Sequence, residues 1–216
     1  MKQSYTHIIW DFNGTLLDDV AICIDCANRL LTAHGLATIP SVEAYREVFG
    51  FPIVEYYQRL GFDFNKLPYA ELAVEWVSYY LSHREEMQTF PDIPEALTRV
   101  RQAGLRQLIL SATEKEMLKG QVEVLGILPY FDELLGLENI QAFSKEEIGK
   151  RWRAAHPEAR VLMIGDTDHD AQVAAAMGVD CVLLTCGHQN RKTLETKPCL
   201  FVADSATEAL ERLGIQ

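Results

Sequence analysis

The stretch HIIWDFNGTLLDD, residues 7–19, decides how the rest of the chain is interpreted. It begins as a short apolar run typical of a buried strand, and the run stops at Asp11. The Asn13-Gly14 pair that follows is a common turn signal. A simple turn accounts for this pair, but it does not account for acidic residues at the end of a later strand. Asp11 is therefore a candidate functional carboxylate.

Composition excludes several classes of function. The 216 residues carry a net charge of −11, which argues against non-specific nucleic-acid binding but not against a small anionic substrate. No apolar run approaches the roughly 20 residues that cross a bilayer, and the N-terminal apolar stretch is too short for a secretory signal. The five cysteines are an odd number and favour reduced thiols. We expect a cytoplasmic protein, monomeric or homodimeric, with no membrane partner.

The later part of the chain alternates strands with helices, which predicts an α/β fold with a parallel sheet. Two S/T-x-x-E patterns, at Thr113 and Ser144, resemble capping boxes that open helices. Gly178 is a natural stop for the helix that ends at Met177. The predicted strands are Thr6–Trp10, Leu105–Leu110, Val161–Ile164 and Cys181–Leu184.

Residues 18–89 have a different pattern, with helical stretches at Val20–Ala33, Ser41–Val48 and Glu71–His83 and no good strand. We predict an α/β core domain of residues 1–17 and 90–216, with a helical domain of residues 18–89 inserted after the first strand. The aromatic residues of the insert are interpreted as its packing core; they are Tyr45, Tyr56, Tyr57, Tyr69, Trp76, Tyr79 and Tyr80.

Polar residues follow the predicted strands where ligands bind in open α/β sheets, at the carboxyl ends. These are Asp11, Ser111 and Asp166, with Asp170 four residues further on. Lys145 lies in the first turn of a predicted helix, and Lys150 is its rival. Crowded carboxylates are unfavourable unless a cation binds them. A hard divalent ion fits such oxygen ligands, and Mg²⁺ is the usual one beside a phosphate.

Taken together, these motifs resemble those of the haloacid dehalogenase superfamily. DFNGTLLD (11–18) is similar to its first motif, D-x-D-G-T-L, except at the third position, and LILSAT (108–113) is similar to the second. Lys145 stands at the third, and IGDTDHD (164–170) matches the fourth, G-D-x-x-x-D. The helical insert resembles the C1 cap of phosphoglycolate-phosphatase-like members, and GILPYFDELLG (126–136) resembles a stretch common in that group.

The resemblance implies a Rossmann-like core that carries a phosphatase site for a small phosphorylated metabolite. Asp11 would attack phosphorus and become an aspartyl phosphate. Ser111, with backbone N–H groups near Gly14 and Ala112, would hold the phosphoryl oxygens. Lys145 would neutralise charge on the nucleophile and the phosphate.

The resemblance also implies a Mg²⁺ site. Asp11 and Asp166 would be direct ligands, and the backbone carbonyl of Asn13 would be another. Asp170 would bind through water or orient Lys145. Thr15 would hold the turn beside the nucleophile.

Asn13 departs from the family pattern, which usually has Asp as a general acid–base worth roughly 10²–10⁴-fold. An amide donates a hydrogen bond but gives up no proton. Three interpretations stay open. The leaving group is a good one, as in an aryl or acyl phosphate or a phosphonate; another group, such as His169 or a cap residue, supplies the proton; or the protein is a slow enzyme or a phosphate-binding module.

Two further points complete the sequence-based interpretation. A dehalogenase-type hydrolase also lacks the second Asp, but that branch does not keep the acids at Asp166 and Asp170, so metal-dependent phosphoryl transfer is favoured. Arg46, in YREVFGFP (45–52), is a candidate for holding a substrate carboxylate or a second phosphate, with a solvated helix arginine as the alternative. His188 is interpreted as a loop residue that reaches at most the rim of the site.

Overall fold

The computed structural model describes residues 5–138 and 144–216. Strands and helices alternate along most of the chain, as predicted. The strands are β1 His7–Trp10, β2 Leu17–Asp18, β3 Gln88–Thr89, β4 Arg106–Glu114, β5 Glu133–Leu137, β6 Val161–Gly165, β7 Asp180–Leu184 and β8 Phe201–Ala203. The helices are α1 Val20–Ala33, α2 Val42–Val48, α3 Ile53–Arg59, α4 Tyr69–Ser82, α5 Ile93–Gln102, α6 Lys115–Val124, α7 Lys145–Ala155, α8 Asp168–Met177, α9 Arg191–Leu194 and α10 Ala206–Leu213.

Six strands form one parallel sheet in the order β5-β4-β1-β6-β7-β8. The α/β prediction is confirmed, and the four predicted strands are β1, β4, β6 and β7. The sequence analysis missed both edge strands, β5 and β8. It also missed the short antiparallel pair of β2 with β3.

The central strand β1 is buried on both faces. Ile8 and Trp10 pack into one apolar cluster, whereas Ile9 packs into the cluster on the other side of the sheet. Successive strand residues point to opposite faces, so a strand covered on both sides reads as a continuous apolar run. The apolar run His7–Trp10 therefore ends at the carboxyl end of β1, and the next residue, Asp11, is the first residue of the candidate site.

Helices α1 to α4 lie between β2 and β3. These two strands pair through Leu17 with Thr89 and Asp18 with Gln88, so the chain leaves and re-enters the core at one place. Helix α1 begins and ends where it was predicted. The division into a core domain and an inserted domain of residues 18–89 stays a prediction. No helix in the described ranges has the length and apolarity needed to cross a membrane.

One of the two predicted capping boxes is wrong and the other is confirmed. Thr113 does not cap a helix, because β4 continues to Glu114, whose carboxylate caps α6 by accepting from the backbone N–H groups of Glu116 and Met117. Ser144 and Glu147 form the reciprocal capping box at the start of α7. That box fixes Lys145 as the first residue of the helix.

Candidate active site

The carboxyl ends of three neighbouring strands bring the predicted site residues together. Strand β1 pairs with β4 on one side and β6 on the other, so Asp11, Ser111 and Asp166 follow adjacent strands. All three are buried, and Asp11 and Ser111 line a cavity above the sheet. The topological reason is that parallel strands end at one edge of a sheet.

Lys145 is the cation at the centre of the site. It is 4% exposed, and its Nζ donates to Asp11 Oδ1 and to Asp170 Oδ1, both at 2.5 Å. Its rival Lys150 is about half exposed and pairs with Glu146 on the outer face of α7. The geometry therefore selects Lys145 as the lysine that touches the nucleophile candidate.

Asp166 and Asp170 are held by donors from the backbone and from hydroxyl groups. Asp170 Oδ2 accepts from Thr167 Oγ1 at 2.7 Å and from the Thr167 N–H at 3.0 Å. Asp166 accepts from Thr15 Oγ1 at 3.0 Å and from the His188 N–H at 2.7 Å. Thr15, predicted to hold the turn, thus joins the first motif to the fourth.

The donor set fits a divalent cation. Carboxylate oxygens of Asp11, Asp166 and Asp170 all lie within 4.8 Å of one another. Glycines let the backbone approach them closely: a Cβ on Gly14 would lie 2.4 Å from Asp166 Oδ2, and one on Gly187 would lie 2.1 Å from it. Carboxylate oxygens this close together are suitable ligands for a hard divalent cation.

The pKa values of these acids also indicate a site for a cation. Burial raises the pKa of Asp11 well above its usual value, and the neighbouring Asp170 carboxylate raises it further. Burial also raises the pKa of Asp166 to about 6. Burial opposes ionisation of Asp170 too, but the Lys145 ammonium holds its pKa below the usual value. One lysine therefore does not keep all three acids ionised, and a divalent cation would.

The Asn13 side chain has hydrogen-bond partners at both its nitrogen and its oxygen. Its Nδ2 donates to Asp19 Oδ2 at 2.8 Å and to the Tyr80 hydroxyl at 2.9 Å, and its Oδ1 accepts from Thr113 Oγ1 at 3.1 Å. Asp19 Oδ2 and the Tyr80 hydroxyl are themselves 2.8 Å apart, so both lie on the same side of the amide nitrogen. Ser111 Oγ in turn donates to Thr113 Oγ1 at 3.0 Å. The predicted role of the Asn13 backbone carbonyl as a metal ligand stays a prediction.

Asp19 lines the cavity and was not among the predicted site residues. It is 1% exposed, and besides Asn13 its carboxylate accepts from the Gly14 N–H at 2.9 Å, from the Tyr80 hydroxyl at 2.8 Å and from Cys23 Sγ at 3.5 Å. It thereby ties the first-motif turn to helices α1 and α4. The second Asp of the Leu-Asp-Asp sequence was the available signal, but its partners Tyr80 and His188 lie far away in the sequence.

His188 was misplaced by the sequence analysis. It lies in a loop as predicted, but it is 5% exposed and lines the cavity rather than its rim. Its Nε2 lies 3.2 Å from Asp19 Oδ1, and its Nδ1 lies 2.8 Å from the Tyr45 hydroxyl. Burial opposes protonation, but the Asp19 carboxylate outweighs it and raises the His188 pKa to about 9. A buried ion pair therefore joins this core loop to the first-motif turn.

The predicted substrate-binding residues have mixed placements. Ala112 lines the cavity, but the Gly14 N–H already donates to Asp19 and to the Leu17 carbonyl. The Arg46 guanidinium donates to the carbonyls of Gly187 and Cys186 and is not among the described residues that line the cavity. Arg46 thus braces the loop that carries His188.

A cavity of about 370 Å³ covers Asp11 and extends into the helical insert. Aromatic side chains form most of its outer wall. Of the insert residues predicted as packing core, Tyr45, Tyr56, Tyr57 and Tyr80 are buried as expected. Those that also line the cavity are Tyr45, Tyr56, Tyr57, Tyr69, Trp76 and Tyr80.

Comparison with known proteins agrees with this arrangement. The family model described as "Haloacid dehalogenase-like hydrolase" matches residues 8–184. The chain belongs to the haloacid dehalogenase-like hydrolase family. This family match covers β1 through β7 apart from His7, and it contains Asp11, Ser111, Lys145, Asp166 and Asp170 but not His188.

Individual relatives of this hydrolase are distant but cover it almost completely. A phosphoglycolate phosphatase from Vibrio parahaemolyticus is 23% identical, covering 99% of this chain and 98% of its own. One from Agrobacterium fabrum is 24% identical, covering 92% and 88%. The solved structure of a haloacid dehalogenase-like hydrolase from Streptococcus pneumoniae has a TM-score of 0.81 at 22% identity, covering 96% of this chain and 98% of that one. The fold is therefore shared along the whole chain.

Proposed function

We propose that this hydrolase is a Mg²⁺-dependent phosphatase that acts on a small phosphorylated metabolite through an aspartyl phosphate on Asp11. The observation that carries the proposal is the contact of buried Lys145 with both Asp11 and Asp170, beside Asp166 and beneath an enclosed cavity. The relatives named phosphoglycolate phosphatase support phosphoryl chemistry in this fold. A cavity of about 370 Å³ suits a small molecule.

The residues have separate tasks in this proposal. The Asp11 carboxylate attacks phosphorus and the ester oxygen leaves; water then hydrolyses the aspartyl phosphate and restores the carboxylate. Lys145 partly offsets the effect of burial on the pKa of Asp11, and it balances the charge of the phosphate. Asp11, Asp166 and Asp170 would hold Mg²⁺, which when bound neutralises charge on the phosphoryl oxygens. Ser111, within β4, would turn its hydroxyl away from Thr113 to donate to the same oxygens.

The cavity wall gives the helical insert its part in the proposal. Because the wall covers the nucleophile on one side, it would limit the water that reaches Asp11 while the phosphoryl group transfers. It also limits the size of the leaving group. A small metabolite fits these limits, and a folded phosphoprotein does not.

The test is hydrolysis of p-nitrophenyl phosphate with Mg²⁺ and with excess chelator, for wild type and Asp11→Asn. We expect wild-type turnover that needs Mg²⁺ and is lost in Asp11→Asn. Lys150→Met, outside the site, is the matched control for a lost lysine, and Lys145→Met is its counterpart. Turnover that survives both chelation and Asp11→Asn would refute the proposal.

Parallel assays separate the alternatives kept from the sequence analysis. A dehalogenase-type hydrolase would release halide from a 2-haloacid without Mg²⁺, and a phosphonatase would cleave a carbon–phosphorus bond. A phosphate-binding module would bind inorganic phosphate and turn nothing over. The buried carboxylate cluster favours the metal-dependent phosphatase over the first of these.

A further inference from the structure

The cavity is chemically unsuited to a carboxylated substrate. Within the described part of the chain, Lys145 is the one lysine or arginine that lines it, and this side chain is already bound by Asp11 and Asp170. His188 is bound by Asp19 and by the Tyr45 hydroxyl. A substrate carboxylate beyond the phosphate would therefore enter an apolar wall without a free cation, which is strongly unfavourable.

Aromatic rings dominate the part of the wall that faces the leaving group. Tyr56 packs against Phe49 and Tyr57 with ring centroids 5.3 and 4.9 Å apart, and Trp76 stacks on Tyr80 at 4.8 Å. His169 stacks on Phe51 on the core side. Such walls bind planar rings, because offset-stacked and edge-to-face contacts add to the gain from apolar burial.

Two polar atoms in this wall lack partners. The Tyr56 hydroxyl and Gln121 Oε1 are buried, and neither has a hydrogen-bond partner among residues 5–138 and 144–216. Both residues line the cavity and are more than nine-tenths buried. Buried polar groups are nearly always satisfied. A rotation of the Tyr56 and Gln121 side chains would bring this hydroxyl and this carbonyl to the cavity, where a ligand would accept from the first and donate to the second.

The state of Asn13 restricts the leaving group further. Its amide nitrogen already contacts Asp19 and Tyr80, and an amide gives up no proton, so it cannot protonate the departing oxygen. A phenol has a pKa of about 10, as in tyrosine, and leaves as the anion much more readily than an alkoxide. The site therefore suits an ester whose oxygen departs unprotonated.

We propose that the natural substrate class is the aryl phosphate monoester whose aryl group is uncharged. Its phenolic ring carries a neutral hydrogen-bonding substituent and is seated against Tyr56 and Gln121. This rests on the proposed phosphatase function. The aryl oxygen–phosphorus bond breaks as Asp11 bonds to phosphorus, and the phenolate leaves with the electron pair. It takes a proton from solvent, and water then releases inorganic phosphate from Asp11.

The test uses two aryl phosphates that differ in charge but hardly in size, 4-carbamoylphenyl phosphate and 4-carboxyphenyl phosphate. At pH 8 a histidine with an ordinary pKa is neutral, so it does not supply a cation to the carboxylate of the second compound. We expect kcat/KM for the carbamoyl compound to exceed that for the carboxyl compound by at least about tenfold. Equal values, or a preference for the carboxyl compound, would overturn the proposal.

A charge-swap variant tests the same point by gain of function. Val77 lines the cavity and is 39% exposed, so Val77→Lys adds a cation at the wall without burying it fully. We expect the kcat/KM ratio of the carbamoyl compound to the carboxyl compound to fall below tenfold in this variant or to reverse. Val74, one turn earlier on α4, is 71% exposed and outside the cavity wall, so Val74→Lys should leave the ratio as in wild type. A ratio that shifts equally in both variants would contradict the cavity's role.

Two further measurements separate this inference from the proposed function. Tyr56→Phe and Gln121→Met should each raise KM for 4-carbamoylphenyl phosphate several-fold and raise KM for ring-free acetyl phosphate by a smaller factor. If acetyl phosphate phosphorylates Asp11, as seen by mass spectrometry, but the aryl preference is absent, only the substrate class is wrong. If no donor phosphorylates Asp11, the phosphatase function itself fails.

Discussion

Because the amide of Asn13 cannot act as a general base, we predict that the phosphoenzyme accumulates after the first chemical step. An aryl leaving group departs without an acid, so formation of the aspartyl phosphate does not depend on residue 13. Hydrolysis does depend on it, because attacking water must lose a proton and an amide accepts none. Missing general-base help slows a step by roughly 10²–10⁴-fold. Breakdown of the phosphoenzyme should therefore limit turnover.

The perturbation that tests this is Asn13→Asp, which keeps the side-chain size. Asn13 Nδ2 lies 2.8 Å from Asp19 Oδ2, so the new carboxyl group would share a proton with Asp19. Two carboxyl groups this close do not both ionise readily, and the shared proton makes the new group an acid in one step and a base in the next. We expect steady-state kcat to rise by about 10²-fold or more.

The assay is stopped-flow release of p-nitrophenol with saturating Mg²⁺. Wild type should show a burst of about one product per active site, then a slow phase. Asn13→Asp should show a faster steady state with a smaller burst, and Asp11→Asn should show neither phase. A wild type with no burst, whose kcat is unchanged or lowered by Asn13→Asp, would refute the reasoning and indicate that another group, such as His169, is the base.

Two other perturbations test the framework around the site. Asp19→Ala removes the carboxylate that holds buried His188, and breaking a buried ion pair this way should lower the free energy of unfolding by about 3–5 kcal/mol in urea denaturation; a loss under 1 kcal/mol would contradict the pairing. Gly187→Ala places a Cβ 2.1 Å from Asp166 Oδ2 and should weaken Mg²⁺ binding measured by calorimetry, whereas Gly120→Ala, a helical site with nothing within 4 Å, should leave it unchanged.

The sheet and its catalytic edge could be predicted because their signals are local. An apolar run, a carboxylate and a turn pair lie within a few residues of one another around Asp11. The edge strand β8 was missed because it has three residues, and β5 was missed because Glu133 and Gly136 interrupt its apolar run. Thr113 was misassigned because a capping pattern and a continuing strand are compatible with the same letters; its hydroxyl instead donates to Asn13, 100 residues away.

His188 shows why part of the site could not be predicted. Its contacts with Asp19, Tyr45 and Asp166 join residues that are far apart in the sequence, and no periodicity or spacing encodes them. The loop becomes buried only because Arg46 holds its carbonyls and because helix α2 brings Tyr45 over it. A local pattern thus predicts which residues can do chemistry, but not which loop closes over them.

The aromatic residues of the insert show the same limit in a form that affects function. Helical spacing identifies Tyr56 and Tyr80 as inward-facing, but an inward face packs equally well against protein or against a ligand. What distinguishes the two is whether the polar tips are satisfied. Tyr80 donates to Asp19, whereas the Tyr56 hydroxyl has no partner in the described part of the chain. Satisfaction of buried polar atoms, more than apolar patterning, is thus the observation that separates the wall of a binding cavity from a packing core.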